Sequence, residues 1–404
     1  MLWKIRDSLD SEEFFLRQPD YTIDASEDGH FSFNYLSNGS YKILGLNRSK
    51  LNERLEPNYS IYGTSSTDVI KIDSASTFKK DVNILIPKVS KYIRVVNGKW
   101  INSRRGEINF DVPINERIDY ITVEITSEGN KILPDLFVDN NEKNTLHFFI
   151  KDSLNSDLNT IINVTPKDNA EYSIIDSALI SAKTKSDIDT SYLNIKDSEK
   201  MNNLEIEENL IRPFDFSFSK LMYNVIMDSA LTLKKDSVII DFNLEKLSPM
   251  HYRVIPKTNW IPNTEYSLFV IRDKLKMINT RGIKDSLLII NIKTSPFRKF
   301  GSLTGNLIEG HRHNGSLVVR LSSLEKEQYS QDVFVNSNSS FKINKIPEGI
   351  YSLMFYNDRD ENDNYSYGSL SPYQASEWFE IIPDTISIRS NWDMEITNIK
   401  LNSF

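Results

Sequence analysis

Oxygen donors are concentrated in one short stretch, Asp358-Arg359-Asp360-Glu361-Asn362-Asp363-Asn364-Tyr365-Ser366-Tyr367-Gly368. Asp358, Asp360 and Asn362 stand at alternate positions. Oxygens at i, i+2 and i+4 converge on one side of a tight loop, which suits a hard cation such as Ca²⁺. Two residues depart from a full calcium loop: Asp363 holds the sixth position in place of Gly, and Ser369 the twelfth in place of a bidentate Glu. Asp and Asn also favour turns by themselves, so the same residues make a hairpin turn that needs no metal. That plainer reading outweighs the metal.

Histidines offer less. His311 and His313 would share one face of a strand, but no third His completes a site and Asn314-Gly315 signals an exposed turn. His147 and His251 occupy matching places in an internal repeat, which points to structural work. Trp260, Trp378 and Trp392 could stack on sugar rings, although packing in a core or between domains explains them better. The chain has no G-x-S-x-G elbow, no H-E-x-x-H and no Gly-rich phosphate loop. It has no Cys, which excludes disulfides, thiolate metal sites and a Cys nucleophile. The expectation is a protein that is not an enzyme, with no cofactor beyond the candidate Ca²⁺.

The elements that position these residues are strands. Twenty-one Phe and 18 Tyr, with plentiful Ile, Val and Thr, suit pleated half-buried surfaces. Hydrophobic residues make up 39% and charged residues 26%, which sets wholesale disorder aside. The 404 residues exceed one core and predict two to four domains. A net charge of −8 argues against nucleic acid as a partner. No stretch approaches the ~20 apolar residues of a membrane helix, and Met1-Leu2-Trp3-Lys4-Ile5-Arg6-Asp7 has no apolar signal segment.

Two internal repeats divide the chain. Phe31-Ser32-Phe33-Asn34-Tyr35-Leu36 and Gly39-Ser40-Tyr41-Lys42-Ile43 recur 310 positions later as Phe341-Lys342-Ile343-Asn344-Lys345-Ile346 and Gly349-Ile350-Tyr351-Ser352-Leu353. Both copies alternate apolar with polar residues and turn at a Gly, which predicts strand, turn and strand. The second repeat has an offset of 104: His147-Phe148 with Asn159-Thr160 matches His251-Tyr252 with Asn263-Thr264. Ile108–Pro113 and Phe214–Ser219 are predicted strands ahead of the two copies. A spacing near 100 residues is that of an immunoglobulin-type sandwich. Residues 183–209 are polar and predict a linker. Thr294-Ser295-Pro296 is a second candidate boundary, and residues 220–232 are read as a loop with a strand.

The strand-turn-strand of the terminal blocks resembles the F-x-I-x-x-L-x-x-G-x-Y-x-L signature of carboxypeptidase-regulatory-like and transthyretin-like sandwiches. The central block resembles bacterial Ig-like domains of the SbsA type, on Trp260-Ile261-Pro262-Asn263-Thr264-Glu265-Tyr266-Ser267-Leu268. The first central copy departs from that pattern, since Asp157-Leu158-Asn159-Thr160 lacks the Pro and the Tyr. The closing Phe379–Asp393 segment resembles the C-terminus of Ig-like-domain lipoproteins of Gram-negative bacteria. These resemblances imply an all-β fold of tandem sandwiches, transthyretin-like and immunoglobulin-like, with few or no long helices. The expected domains are residues 1–75 (transthyretin-like), 88–190 and 205–296 (Ig-like) and 297–404 (transthyretin-like). The resemblance further implies an extracytoplasmic location, at the cell surface, the outer membrane or in the periplasm. The partner there would be an unidentified protein or glycan, and the role structural or interactive. The alternative is a carbohydrate- or calcium-dependent accessory module of a surface hydrolase.

Members of this family open the first domain with a Gly-containing strand ahead of the position of Met1-Leu2-Trp3. The chain is therefore expected to begin inside its first domain, with signal and lipid anchor outside it. The exposed sheet edge makes this block the less stable of the two terminal sandwiches. Its loop at Asn47-Arg48-Ser49-Lys50-Leu51-Asn52, equivalent to the Asp358 loop, carries two basic residues and no carboxylate and is expected to bind no cation.

Overall fold

A computed structural model describes residues 1–6, 13–46, 55–57, 60–88, 93–114, 118–138, 142–167, 177–185, 193–196, 203–220, 222, 230–271, 274–275, 286–308, 315–325 and 329–402. The fold is all-β, a series of sandwiches, and the helical segments among the described residues are short 3-10 turns such as Phe14–Leu16. The chain forms two units: residues 1–91 with 299–404, and residues 92–298.

The N-terminal block contributes β1 (Leu2–Ile5), β2 (Gly39–Leu46), β3 (Tyr62–Thr64) and β4 (Ile70–Ile72). All three other strands pair antiparallel with β2. Tyr41 and Ile43 of β2 join Leu2, Ile70 and Ile72 in one small core.

The second unit holds two sandwiches of the same design. The first has β5 (Val95–Trp100), β6 (Arg105–Phe110), β7 (Ile121–Ser127), β8 (Asn130–Ile132), β9 (Asp135–Val138), β10 (Thr145–Phe149), β11 (Asn159–Pro166) and β12 (Ala178–Lys183), in sheets β5-β6-β10-β9 and β12-β11-β7-β8. Period-two patterning selects the inner faces: Ile121, Val123 and Ile125 of β7 are buried while Thr122, Glu124 and Thr126 are only partly so. Each such side chain taken fully out of water contributes about 1.5–3 kcal/mol. Trp100 of one sheet donates Nε1–H to Thr160 Oγ1 of the other at 2.8 Å, which satisfies the one polar group of a fully buried indole.

The next strands are β13 (Ile195–Lys196), β14 (Leu204–Ile206), β15 (Phe214–Phe218), β16 (Leu231–Lys235), β17 (Val238–Ile240), β18 (Phe242–Lys246), β19 (His251–Pro256), β20 (Glu265–Ile271) and β21 (Leu287–Phe297). Their sheets, β13-β15-β19-β18 and β14-β21-β20-β16-β17, repeat the first topology with β14 added parallel to β21. The predicted linker thus contributes two short strands, because Leu193 and Ile206 within it reach the core and are buried. The polar residues between them concealed this. The 3-residue sequence Thr294-Ser295-Pro296 lies inside β21, and the second unit ends at Arg298. Most of 220–232 lies outside the described residues.

The C-terminal block carries β22 (Phe300–Leu307), β23 (Ser316–Ser323), β24 (Ser330–Phe334), β25 (Ser340–Pro347), β26 (Gly349–Asp358), β27 (Ser369–Leu370), β28 (Tyr373–Gln374), β29 (Phe379–Ile381), β30 (Ile386–Ile388) and β31 (Asp393–Ile399). Sheet β25-β22-β31 faces a second sheet of β24, β23, β26, β29 and β30 across a core that includes Leu303, Phe341, Leu353 and Phe355.

One predicted strand is absent. Phe31–Leu36 joins no sheet, although its repeat copy is β25. Strand formation requires a neighbour for the backbone N–H and C=O groups. Among the described residues no strand runs alongside residues 31–36.

Candidate functional site

Asp358 closes β26, and the oxygen-rich loop springs from it. Its carboxylate accepts the N–H of Asn362 at 3.1 Å and of Asp363 at 3.0 Å. This Asx-type turn needs positive φ at Glu361 (56°) and Asp363 (61°). Asp tolerates that region better than most residues, so the sixth position does without Gly.

The loop closes onto a residue that the spacing argument did not consider. Glu377, 2% exposed, accepts the N–H of Arg359 at 2.6 Å and of Ser366 at 2.9 Å. Ser366 Oγ in turn donates to Asp360 Oδ2 at 2.8 Å. Oxygens of Asp358, Asp360 and Glu377 lie within 4.8 Å of one another. Oxygens on opposite sides of a Ca²⁺ ion stand about 4.6–5.2 Å apart, twice its usual bond length, so this set fits a hard cation. Asn362 is arranged differently. Its Oδ1 accepts Asn364 N–H at 2.8 Å and its Nδ2 donates to Ser366 Oγ at 3.1 Å. Ser369 Oγ bonds Pro372 O, outside the cluster. Burial pushes the Glu377 carboxyl above its usual range, against the opposing pull of the Ser366 and Arg359 N–H groups.

The N-terminal block holds the far side of this loop. Thr64 N donates to Tyr367 O at 3.3 Å, and Tyr62 OH accepts Leu370 N–H at 3.1 Å. Gly368, at φ 79°, passes so close that a Cβ there would overlap Thr64 Oγ1. Nearby, the Lys42 ammonium sits 3.2 Å from the Tyr373 ring centroid and 2.9 Å from Asp68 Oδ1.

A second cluster surrounds His147, buried on β10. Its Nδ1 lies 3.1 Å from Arg105 Nη2 and 3.6 Å from Glu107 Oε1, and its Nε2 lies 3.4 Å from Glu142 Oε2. The ring stacks on Phe137 at 5.1 Å. Arg can only donate, so Nδ1 accepts in the contact with Arg105, and Nε2 faces Glu142. His251, its repeat equivalent, is anchored by Ser248 Oγ at 3.0 Å from Nδ1.

Trp260 is buried, donating to Arg212 O at 2.7 Å, and Trp378 is buried as well. Trp392 is 63% exposed beneath Arg389, against the expectation that it packs inside. His311, His313 and the Asn47–Asn52 loop lie outside the described residues.

No known protein family matches the sequence, and no curated protein sequence matches it. Among solved structures, the chain is similar to the N-terminal part of the bacterial S-layer protein SbsC, at 14% identity and TM-score 0.21, covering 50% of this chain and 44% of that one. It is also similar to BcpA, the major pilin subunit of Bacillus cereus, at 9% identity and TM-score 0.19, covering 76% and 98%. A third likeness is to Sidekick-1 immunoglobulin domains 1–5, at 8% identity and TM-score 0.18, covering 90% and 67%. The chain spans less than half of the SbsC fragment, and likenesses at these scores carry no argument about role.

Proposed function

We propose that this is a non-catalytic structural or interaction protein of the bacterial cell surface or periplasm, a lipid-anchored outer-membrane protein built of tandem sandwiches. What supports this reading most is how the polar side chains are employed. Asp358 and Glu377 hold turns, His147 and His251 fix strands, and Arg253–Asp215 and Arg320–Asp332 clamp neighbouring strands in bidentate pairs. Protease treatment of intact producing cells, followed by fractionation, tests the location. Release of sandwich fragments from the cell surface, or recovery in the periplasm, is expected; full-length protein in the cytosol would overturn the proposal.

The convergence of Asp358, Asp360 and Glu377 favours a second reading, a Ca²⁺-dependent binding module. Calorimetric titration of Ca²⁺ into the wild type and an Asp358→Ala, Asp360→Ala double variant separates the two. Heat that disappears in the variant supports the module. No heat, with a melting temperature unchanged by chelator, leaves a metal-free turn.

A further inference from the structure

The turn Arg389-Ser390-Asn391-Trp392 leads from β30 to β31, and its backbone is fixed from several directions. Asn391 N–H donates to Phe300 O at 2.9 Å, and Ser302 N–H donates to Trp392 O at 3.0 Å. Ser390 N–H donates to Glu348 Oε2 at 3.3 Å. Asn391 takes the left-handed conformation, φ 61°, that short polar residues tolerate. β22 passes so close that a Cβ at Gly301 would overlap Arg389 O.

This firmly held turn presents an aromatic ring to water. Trp392 is 63% exposed, whereas the other four tryptophans are 9% exposed or less. Among the described residues its ring partner is the Arg389 guanidinium, 5.6 Å from the centroid, and its indole N–H donates to none. A cation takes one face of an indole, so the second face stays open.

The fold requires neither side chain. Gly39↔Ile72 between β2 and β4 repeats the register Gly349↔Ile388 between β26 and β30, so Arg389–Trp392 corresponds to Asp73–Ser76. That turn closes with Asp73 Oδ1 accepting the N–H groups of Ala75 and Ser76 at 2.8 and 2.7 Å. A Ser therefore serves where Trp392 stands, and an Asp where Arg389 stands. Isolated apolar residues on a surface are common, but an indole and a guanidinium paired on one fixed turn go beyond what the turn needs.

We propose that the open face of Trp392 is a stacking platform for a neutral pyranose sugar of a glycan, which deepens the interaction role proposed above and rests on it. A pyranose offers a C–H face that buries against an indole and a rim of hydroxyls that both donate and accept. Arg389 is a positioning residue: it lies against the ring and limits its rotamers before the sugar arrives. The Glu348 carboxylate and the Asn391 amide are the hydrogen-bonding groups beside the turn. The opposite charges of Arg389 and Glu348 favour an uncharged sugar. Ser390 and Asp393 are polar as well, so the turn lacks the apolar surround of a protein hot spot or a membrane anchor.

The test follows Trp fluorescence of the purified full chain during titration with cellohexaose, whose all-equatorial rings present C–H groups on both faces. Burial of the other four indoles makes Trp392 the accessible reporter. Expected are saturable binding with a Kd of about 1 mM or tighter, a blue shift and loss of acrylamide quenching. Saturation-transfer NMR on the sugar then compares variants. Trp392→Ala should weaken binding at least about tenfold with Tm unchanged, and Trp392→Tyr should restore it to within about threefold. Arg389→Ala should weaken binding without removing it. No saturable binding up to about 10 mM, or equal affinity in Trp392→Ala, would overturn the proposal. So would a blue shift produced by vesicles of phosphatidylcholine and phosphatidylglycerol but not by the sugar, the mark of a membrane contact. The titration does not depend on cellular location, so its failure would leave the cell-surface reading standing.

Discussion

Thr64 and Ser376, 312 positions apart, are joined by two hydrogen bonds: Ser376 N–H donates to Thr64 Oγ1 at 2.7 Å, and Ser376 Oγ donates to Thr64 O at 2.9 Å. Both residues are buried, and Ser376 directly precedes Glu377. The N-terminal block is therefore part of the framework that positions the carboxylate cluster.

Replacing Thr64 by Val keeps the shape and removes the hydroxyl. The Ser376 N–H and the carbonyls of Tyr367 and Gln374 lose a partner, at a cost of about 1–3 kcal/mol. Gly368→Ala combines a strained φ with an overlap against Thr64 and should cost at least as much. Denaturant unfolding of both variants measures this, and a change below about 0.5 kcal/mol for each would contradict the account.

Glu377 gives the loop a pH dependence with a definite sign. Its folded pKa is raised by burial, so the native state holds the proton more tightly than the unfolded chain. Its contribution to stability therefore falls as pH rises from the ordinary carboxylate value through the raised one. A cation needs the deprotonated form, so Ca²⁺ affinity should weaken as pH falls through the same window. Calorimetry near pH 7.5 and near pH 5 checks this. Glu377→Gln should flatten the stability profile there.

In the first central sandwich, Thr160→Val leaves the buried Trp100 Nε1–H without its acceptor. A loss of about 1–3 kcal/mol is expected. Trp100→Phe together with Thr160→Val should cost less than the sum of the two single changes, because the orphaned donor goes with the ring. A double-mutant cycle by thermal unfolding reads this directly.

The N-terminal block should open first. Limited proteolysis is expected to cut within 22–38 and 73–83 before any site in 296–404, because those segments have few backbone partners of their own. Peptide mapping of the earliest fragments provides the check, and early cleavage inside β22 or β26 would contradict it.

Much of this protein was legible in its residues. Period-two alternation in β25 marks a strand with one buried face, because side chains on a strand point to opposite sides in turn. The 310- and 104-residue repeats announced related sandwiches. The Asp358 turn was legible because Asp and Asn bond their own backbone within a few positions. Tertiary structure decided the rest. Glu377 meets Asp358 only because β26 and β29 pair, and neither spacing nor composition encodes that approach. Thr64 reaches Ser376 for the same kind of reason. The segment 31–36 carries the pattern of a strand and forms none. Alternation specifies which face would be buried, whereas a strand exists only where another backbone lies alongside to take its hydrogen bonds.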